Sequence, residues 1–199
     1  MPHFFSASSL RITGCSLLLA VSFSLPRIAT AADDTTSLPP LLKLMQQRLD
    51  IAPMVAKSKW NDQLPVNDPV RENQLLEKLT ETARQSGITD DLARRFFQAQ
   101  FDAGKLIQTA QQAQWRAQQL GRFADAPDLA RDVRPALDQL TPAMLTALRQ
   151  VQDHLCSPAV QAYLEKDGMQ NLSAQWNEEV AATALSGLRC TESQTRGIH

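Results

Sequence analysis

Three features predict an all-α protein. Glycine is scarce, at 7 of 199 residues. Apolar residues recur at alternating steps of three and four, and no segment carries the β-branched alternation of a strand. Glutamine, alanine and leucine, which suit helices, are frequent. Together these predict a single-domain helical bundle of about six to seven helices.

The first 31 residues read as an address. Arg11 supplies a positive charge, the apolar run from Cys15 to Leu25 is short for a membrane span, and Pro26 breaks it. Ala29-Thr30-Ala31 has the small-x-small form of a cleavage site, so 1–31 is expected to be a signal peptide and 32–199 the mature domain. Ile12-Thr13-Gly14-Cys15 has the look of a lipoprotein box, but the apolar stretch follows Cys15. A cut there would leave the hydrophobic region on the product, so Cys15 is read as part of the leader. Export to the periplasm or beyond is the expected destination.

The chain carries 20 Lys and Arg against 21 Asp and Glu, and Arg11 and Arg27 go with the leader. A slightly acidic mature chain lacks the basic stripe of a nucleic-acid binder. After the leader no stretch of about 18 apolar residues follows, so no membrane association is expected once it is removed. Cys156 and Cys190 remain, and an even pair in an exported chain is expected to form a disulfide worth roughly 3–4 kcal/mol. Two thiols and His154 lack the paired spacing of a zinc site, so no metal is expected.

The helices follow in order. Leu41, Met45, Arg48, Ala52, Val55 and Lys59 form one stripe, with Pro53 requiring a kink or a restart. A second helix opens at Asp68-Pro69, an N-cap before a first-turn proline, and Gly87 ends it. A third runs from Thr89-Asp90 to about Gln118, with Phe97, Phe101, Gly104, Gln108 and Trp115 facing inward. Residues 118–127 read as a linker between active-site helices over 32–118 and an extension over 128–190. That extension predicts helices near 129–139, 142–155, 158–166 and 170–188, with Thr141-Pro142 and Ser157-Pro158 as start signals. The tail from Glu192 is expected to be disordered.

Arg48 and Lys59 are eleven residues apart, and at about 100° per residue that returns to within about 20° of the starting direction. Both cations therefore share the apolar stripe. Buried charge needs an opposite charge, so these two await carboxylates on a neighbouring helix, reach water with their heads, or hold an anionic small molecule. Arg71 lies one turn ahead of Leu75, and Gln108 is an inward amide. Outside the leader there is no phosphate loop, nucleophile elbow or His-Glu-x-x-His, and His154 and His199 gather with no catalytic type. Cations plus an amide suit chemistry that needs charge placement alone.

Arg48 and Lys59, then Leu64-Pro65-Val66-Asn67-Asp68-Pro69-Val70-Arg71-Glu72, then Gly104-Lys105-Leu106-Ile107-Gln108 resemble the all-helical chorismate mutases in order and spacing from about Leu41 to Trp115. The leader, the added C-terminal helices and the late cysteines resemble the family's exported subclass. The resemblance implies a chorismate mutase II-like fold, no cofactor, chorismate as the small-molecule partner, and a homodimer with each pocket inside one chain. It implies that Arg48 pairs with a substrate carboxylate. Lys59 would bond a carboxylate and the ether oxygen, with Gln108 as second donor to that oxygen. Asp68 and Arg71 would stand beside the substrate, with Glu72 near its hydroxyl.

A further Arg is implied from the fourth helix of the same chain. Alignment on the following Ala136-Leu137-Asp138 selects Arg134, with Arg131 in reserve. Gly104 departs from the Ser or Thr of many relatives, removing one side-chain hydrogen bond worth about 1 kcal/mol. Two other functions fit the same residues: an isochorismate pyruvate lyase, and a non-enzymatic periplasmic binding protein.

Overall fold

The computed structural model describes Met1 and residues 34–190. The expected leader over 1–31 with its Cys15, and the tail from Glu192, lie outside the described residues. The compact unit Ala32–His199 holds every element of the fold. Its described residues form seven α-helices and no strand, the all-α architecture that the spacing predicts.

Helix α1, Leu38–Asn61, passes through Pro53 without restarting. A proline inside a helix costs about 3 kcal/mol. Leu41, Met45 and Leu49 before it, and Ala52 and Ala56 around it, are all buried. Burial of each large side chain returns roughly 1.5–3 kcal/mol, so the shared core stripe outweighs the missing N–H.

Helix α2, Pro69–Gln85, starts where the Asp68 carboxylate accepts the Arg71 N–H at 3.1 Å. It buries Leu76, Leu79 and Ala83 against α3. Gly87 ends it with φ of +79°, a left-handed conformation that glycine adopts without strain. Thr89 then caps α3, Asp90–Ala117, the longest helix at 28 residues, or about 42 Å. Phe96 and Phe97 are fully buried on it, edge to face at 5.2 Å. Helices α1, α2 and α7 all pack on α3, so the core surrounds it.

The expected linker is docked on the end of α1. The Asn61 amide donates to the Phe123 carbonyl and accepts the Phe123 N–H, both at 2.8 Å. The Trp60 indole donates to the Gly121 carbonyl at 2.9 Å. Phe123, Trp115 and Trp60 form an edge-to-face row beneath it.

The C-terminal boundaries differ from the expected ones. A π-helical turn, Leu129–Val133, leads directly into α4, Arg134–Gln152. Thr141-Pro142 does not start a helix; α4 runs through it. The Thr141 hydroxyl bonds back to the Leu137 carbonyl at 3.2 Å. Met144, Leu148 and Val151 are fully buried beyond it, so packing again overrides a local stop signal.

Ser157 caps α5, Pro158–Tyr163, as expected. A π turn, Leu164–Gly168, joins α5 to α6, Met169–Ser173. The break expected after 166 is therefore absent. It lies instead before α7, Glu178–Ser186, where the Asn177 side chain accepts the Val180 N–H at 2.9 Å. An N-cap inside the expected 170–188 helix splits it. Cys156 and Cys190 form the expected disulfide. Beside it Gly187 meets α3 so closely that a Cβ there would lie 2.6 Å from the Arg95 carbonyl oxygen.

Candidate active site

Four segments enclose a cavity of about 430 Å³. Helix α1 contributes Arg48, Val55 and Lys59; α2 and its entry loop contribute Val66, Asp68, Arg71 and Glu72. Helix α3 contributes Phe101, Gly104, Lys105 and Gln108, and α4 contributes Arg134, Leu137 and Asp138. All eight residues singled out for this site in the sequence line it. The cavity takes Arg134, whereas Arg131 is 77% exposed and pairs with Asp132 at 3.1 Å.

Arg48 lies over the Phe101 ring, 5.4 Å from its centroid. Burial lowers its pKa to about 10, and the Asp138 charge opposes that shift. Lys59 donates to the Val66 carbonyl at 2.7 Å. Its pKa falls below the usual lysine value, chiefly through burial; Glu72 and Asp68 oppose the shift, while Arg71 and Lys105 add to it. Among the described residues no carboxylate lies within ion-pair distance of Arg48, Lys59, Arg71 or Arg134. Arg48, Lys59, Arg71 and Arg134 thus converge on one cavity without an ion-pair partner among the described residues.

Glu72, expected near the substrate hydroxyl, lines the cavity and has protein partners as well. One oxygen accepts from Lys105 at 2.7 Å, and the other accepts the Asp68 N–H at 3.4 Å. Lys105 also reaches Asp102 at 3.0 Å. Burial pulls its pKa down, but hydrogen bonds to Glu72 and Asp102 more than offset this and raise it. Gln108 is 8% exposed; its amide nitrogen donates to the Gly104 carbonyl at 3.1 Å, and its oxygen is buried without a partner. At Gly104 a Cβ would meet only that Gln108 nitrogen, 3.9 Å away.

Three cavity residues carry little functional signal in the sequence. Phe101 reads as core, and Lys105 and Asp138 read only as links in longer motifs. The Asp102–Lys105 spacing of one helical turn hints at an ion pair. The pairing with Glu72, 33 residues away, has no local signal. His154 stays at the surface beside Asp34, at 3.6 Å. Among the described residues no cluster of His, Cys, Asp and Glu could hold a metal ion.

The profile of the family described as chorismate mutase type II matches residues 40–109, the span that carries every site residue except Arg134. A secreted chorismate mutase of Mycobacterium tuberculosis is 32% identical over 150 residues, covering 75% of each chain. A secreted chorismate mutase of Mycolicibacterium smegmatis is 30% identical over 135 residues, covering 68% of this chain and 74% of the relative. Among solved structures, a chorismate mutase from Burkholderia thailandensis superposes with a TM-score of 0.70 at 35% identity. That match covers 77% of this chain and 99% of the other.

Proposed function

The chain belongs to the chorismate mutase family, and on that premise we propose how its own residues carry the rearrangement of chorismate to prephenate. One observation carries the reading: Arg48, Lys59, Arg71 and Arg134 line a single cavity with no carboxylate at ion-pair distance among the described residues. Arg48, Lys59 and Arg134 are partly withdrawn from water, where an uncompensated charge is costly, and a dianionic substrate supplies the missing partner.

Arg48 and Arg134 approach from α1 and α4 and grip the two carboxylates, since a guanidinium fork matches a carboxylate. Arg71 and Asp68 stand beside the substrate at the start of α2, and Glu72 receives its hydroxyl. That grip selects the folded diaxial conformer and brings the bond-forming carbons together. The step is an isomerisation: the ether C–O bond breaks as a C–C bond forms, with no proton transferred. Negative charge grows on the ether oxygen. The Lys59 ammonium and the second N–H of the Gln108 amide stabilise it more strongly than the ground state, which is what lowers the barrier.

Membership of the exported subclass is part of the proposal. Removal of residues 1–31 would release the mature chain, consistent with the two mycobacterial relatives named as secreted. N-terminal sequencing of the exported protein should begin at Ala32. No described helix is long and apolar enough to cross a membrane. A homodimer is proposed from the subclass resemblance. With each pocket inside one chain, as the subclass resemblance implies, turnover per chain should not change with dilution through the dimer range.

The direct test is loss of chorismate absorbance with the purified mature chain, with prephenate as product. Pyruvate release from isochorismate at a higher kcat/KM would instead assign the lyase. Absence of turnover together with no binding of a bicyclic dicarboxylate transition-state analogue would indicate a non-enzymatic protein.

A further inference from the structure

The Lys59 and Lys105 ammonium groups line the same cavity and are treated differently by the carboxylates around it. Lys105 has two within 3.0 Å, Glu72 at 2.7 Å and Asp102 at 3.0 Å. Lys59 has none at ion-pair distance among the described residues and donates to the Val66 carbonyl instead. Yet Glu72 is the leading charge acting to raise the Lys59 pKa. The carboxylate that Lys105 holds thus shares the cavity with Lys59 and acts on its charge.

The arrangement around Lys105 is built rather than incidental. Asp102, one turn earlier on α3, also accepts from the Gln98 amide at 3.0 Å. On the other side, the Asp68 N–H steadies the second Glu72 oxygen. The resulting chain, Gln98 to Asp102 to Lys105 to Glu72 to the α2 cap, stitches α3 to the start of α2. Lys105 and Glu72 are 24% and 21% exposed, enough burial for the pair to be screened less than a surface pair.

We propose that Lys105 is a positioning residue: by holding Glu72 in an ion pair, it keeps that carboxylate off Lys59 and leaves the Lys59 ammonium to the substrate. The inference rests on the role given above to Lys59. Without Lys105, the Glu72 carboxylate has no cation at contact distance and turns to Lys59. A Lys59–Glu72 pair then competes with the dianion and neutralises the donor needed at the ether oxygen. The charged groups that share the cavity with Lys59 are Arg48 on its own helix, Asp68, Arg71, Glu72 and Lys78 from α2 and its entry, Lys105 from α3, and Arg134 and Asp138 from α4. Removing Lys105 frees Glu72 and also takes away a cation that helps hold the Lys59 pKa down.

The test compares kcat, KM and the alkaline limb of kcat/KM for wild type, Lys105→Met and Lys105→Arg. Lys105→Met is expected to lose roughly tenfold or more in kcat, the scale of weakening one transition-state donor. Its alkaline limb should move to higher pH as Lys59 gains a carboxylate partner and loses a neighbouring cation. Lys105→Arg, which can still hold Glu72, should stay near wild type in both. In a Glu72→Gln background Lys105→Met should shift the limb less and lose little further kcat, because only the direct effect of the Lys105 charge is then removed; an equal shift and an equal loss of kcat there overturn the proposal. Wild-type kcat in Lys105→Met, or a lower kcat with an unmoved limb, overturns the proposal. If Lys105→Met does not fold, Lys105→Gln is judged by the same outcomes. The Lys59 reading is tested separately by Lys59→Ala: an active Lys59→Ala overturns that reading, whereas an inactive one beside an unperturbed Lys105→Met overturns only this proposal.

Discussion

The guanidinium of Arg48 rests over the face of Phe101 at 5.4 Å, with no carboxylate at ion-pair distance among the described residues. An aromatic face attracts a cation without neutralising it, so Arg48 is held and still available to an anion. Replacing Phe101 with Leu should keep the core nearly filled while removing that attraction, worth about 1 kcal/mol. The expected result is a rise in KM of roughly fivefold with a smaller change in kcat, read from steady-state chorismate kinetics.

Lys59→Ala should leave the helical circular dichroism unchanged, because the side chain's hydrogen bond goes to a loop carbonyl, that of Val66, outside the helices. Turnover should fall by about 3–4 kcal/mol of transition-state stabilisation, several hundredfold in kcat. A variant with near-wild-type rate would remove Lys59 from the mechanism.

The pH profile follows from the direction of the shifts. Lys59 and Arg48 act in their charged forms, and burial lowers both pKa values, that of Arg48 to about 10. Activity is therefore full well below those values and declines as pH rises through them. Gln108 is neutral and needs no proton gained at low pH, so it adds no acidic limb. The kcat/KM profile should be nearly flat from mildly acidic to mildly alkaline pH and then fall. A sharp loss just above neutrality would contradict the assignment.

Gly104→Ser tests the one departure in the site. The added Cβ would have only the Gln108 amide nitrogen, 3.9 Å away, as a neighbour. The hydroxyl restores a donor at the cavity wall, worth about 1 kcal/mol, or roughly a fivefold lower KM. Replacing a mid-helix glycine also stabilises α3 by about 0.5 kcal/mol, which thermal unfolding would register.

Gly187→Ala should act on stability alone. Its Cβ would fall 2.6 Å from the Arg95 carbonyl oxygen and 2.7 Å from the Phe96 Cα, backbone atoms that cannot rotate away. Overpacking of this kind costs typically 1–3 kcal/mol. The melting temperature should drop while kcat, measured where the variant is folded, stays close to wild type.

The N-terminal half was legible because its signals are local. Asp68, Gly87 and Thr89 cap or stop helices through bonds that reach three to five residues, and the chain order displays them. Pro142 misled because its cost is local while the packing that offsets it is not. Met144 and Leu148 are buried by contacts with distant helices, which no window around Pro142 contains. In the site, Arg48 and Lys59 could be seen from their eleven-residue spacing. Asp138 opposite Arg48, and Lys105 against Glu72, meet only once the helices have packed.

The clasp between Asn61 and Phe123 bears on how this chain could have grown or be trimmed. The eleven-residue connection from α3 to the π turn before α4 looks expendable by length and composition, and ordinary loops of that kind tolerate insertion. Here its middle is pinned two residues beyond Lys59, while its far end delivers Arg134. The connection works as a gauge between two walls of the cavity. Lengthening it beyond Phe123 would displace an arginine rather than enlarge a loop, and a chain cut at residue 118 would be an open cavity rather than a smaller enzyme.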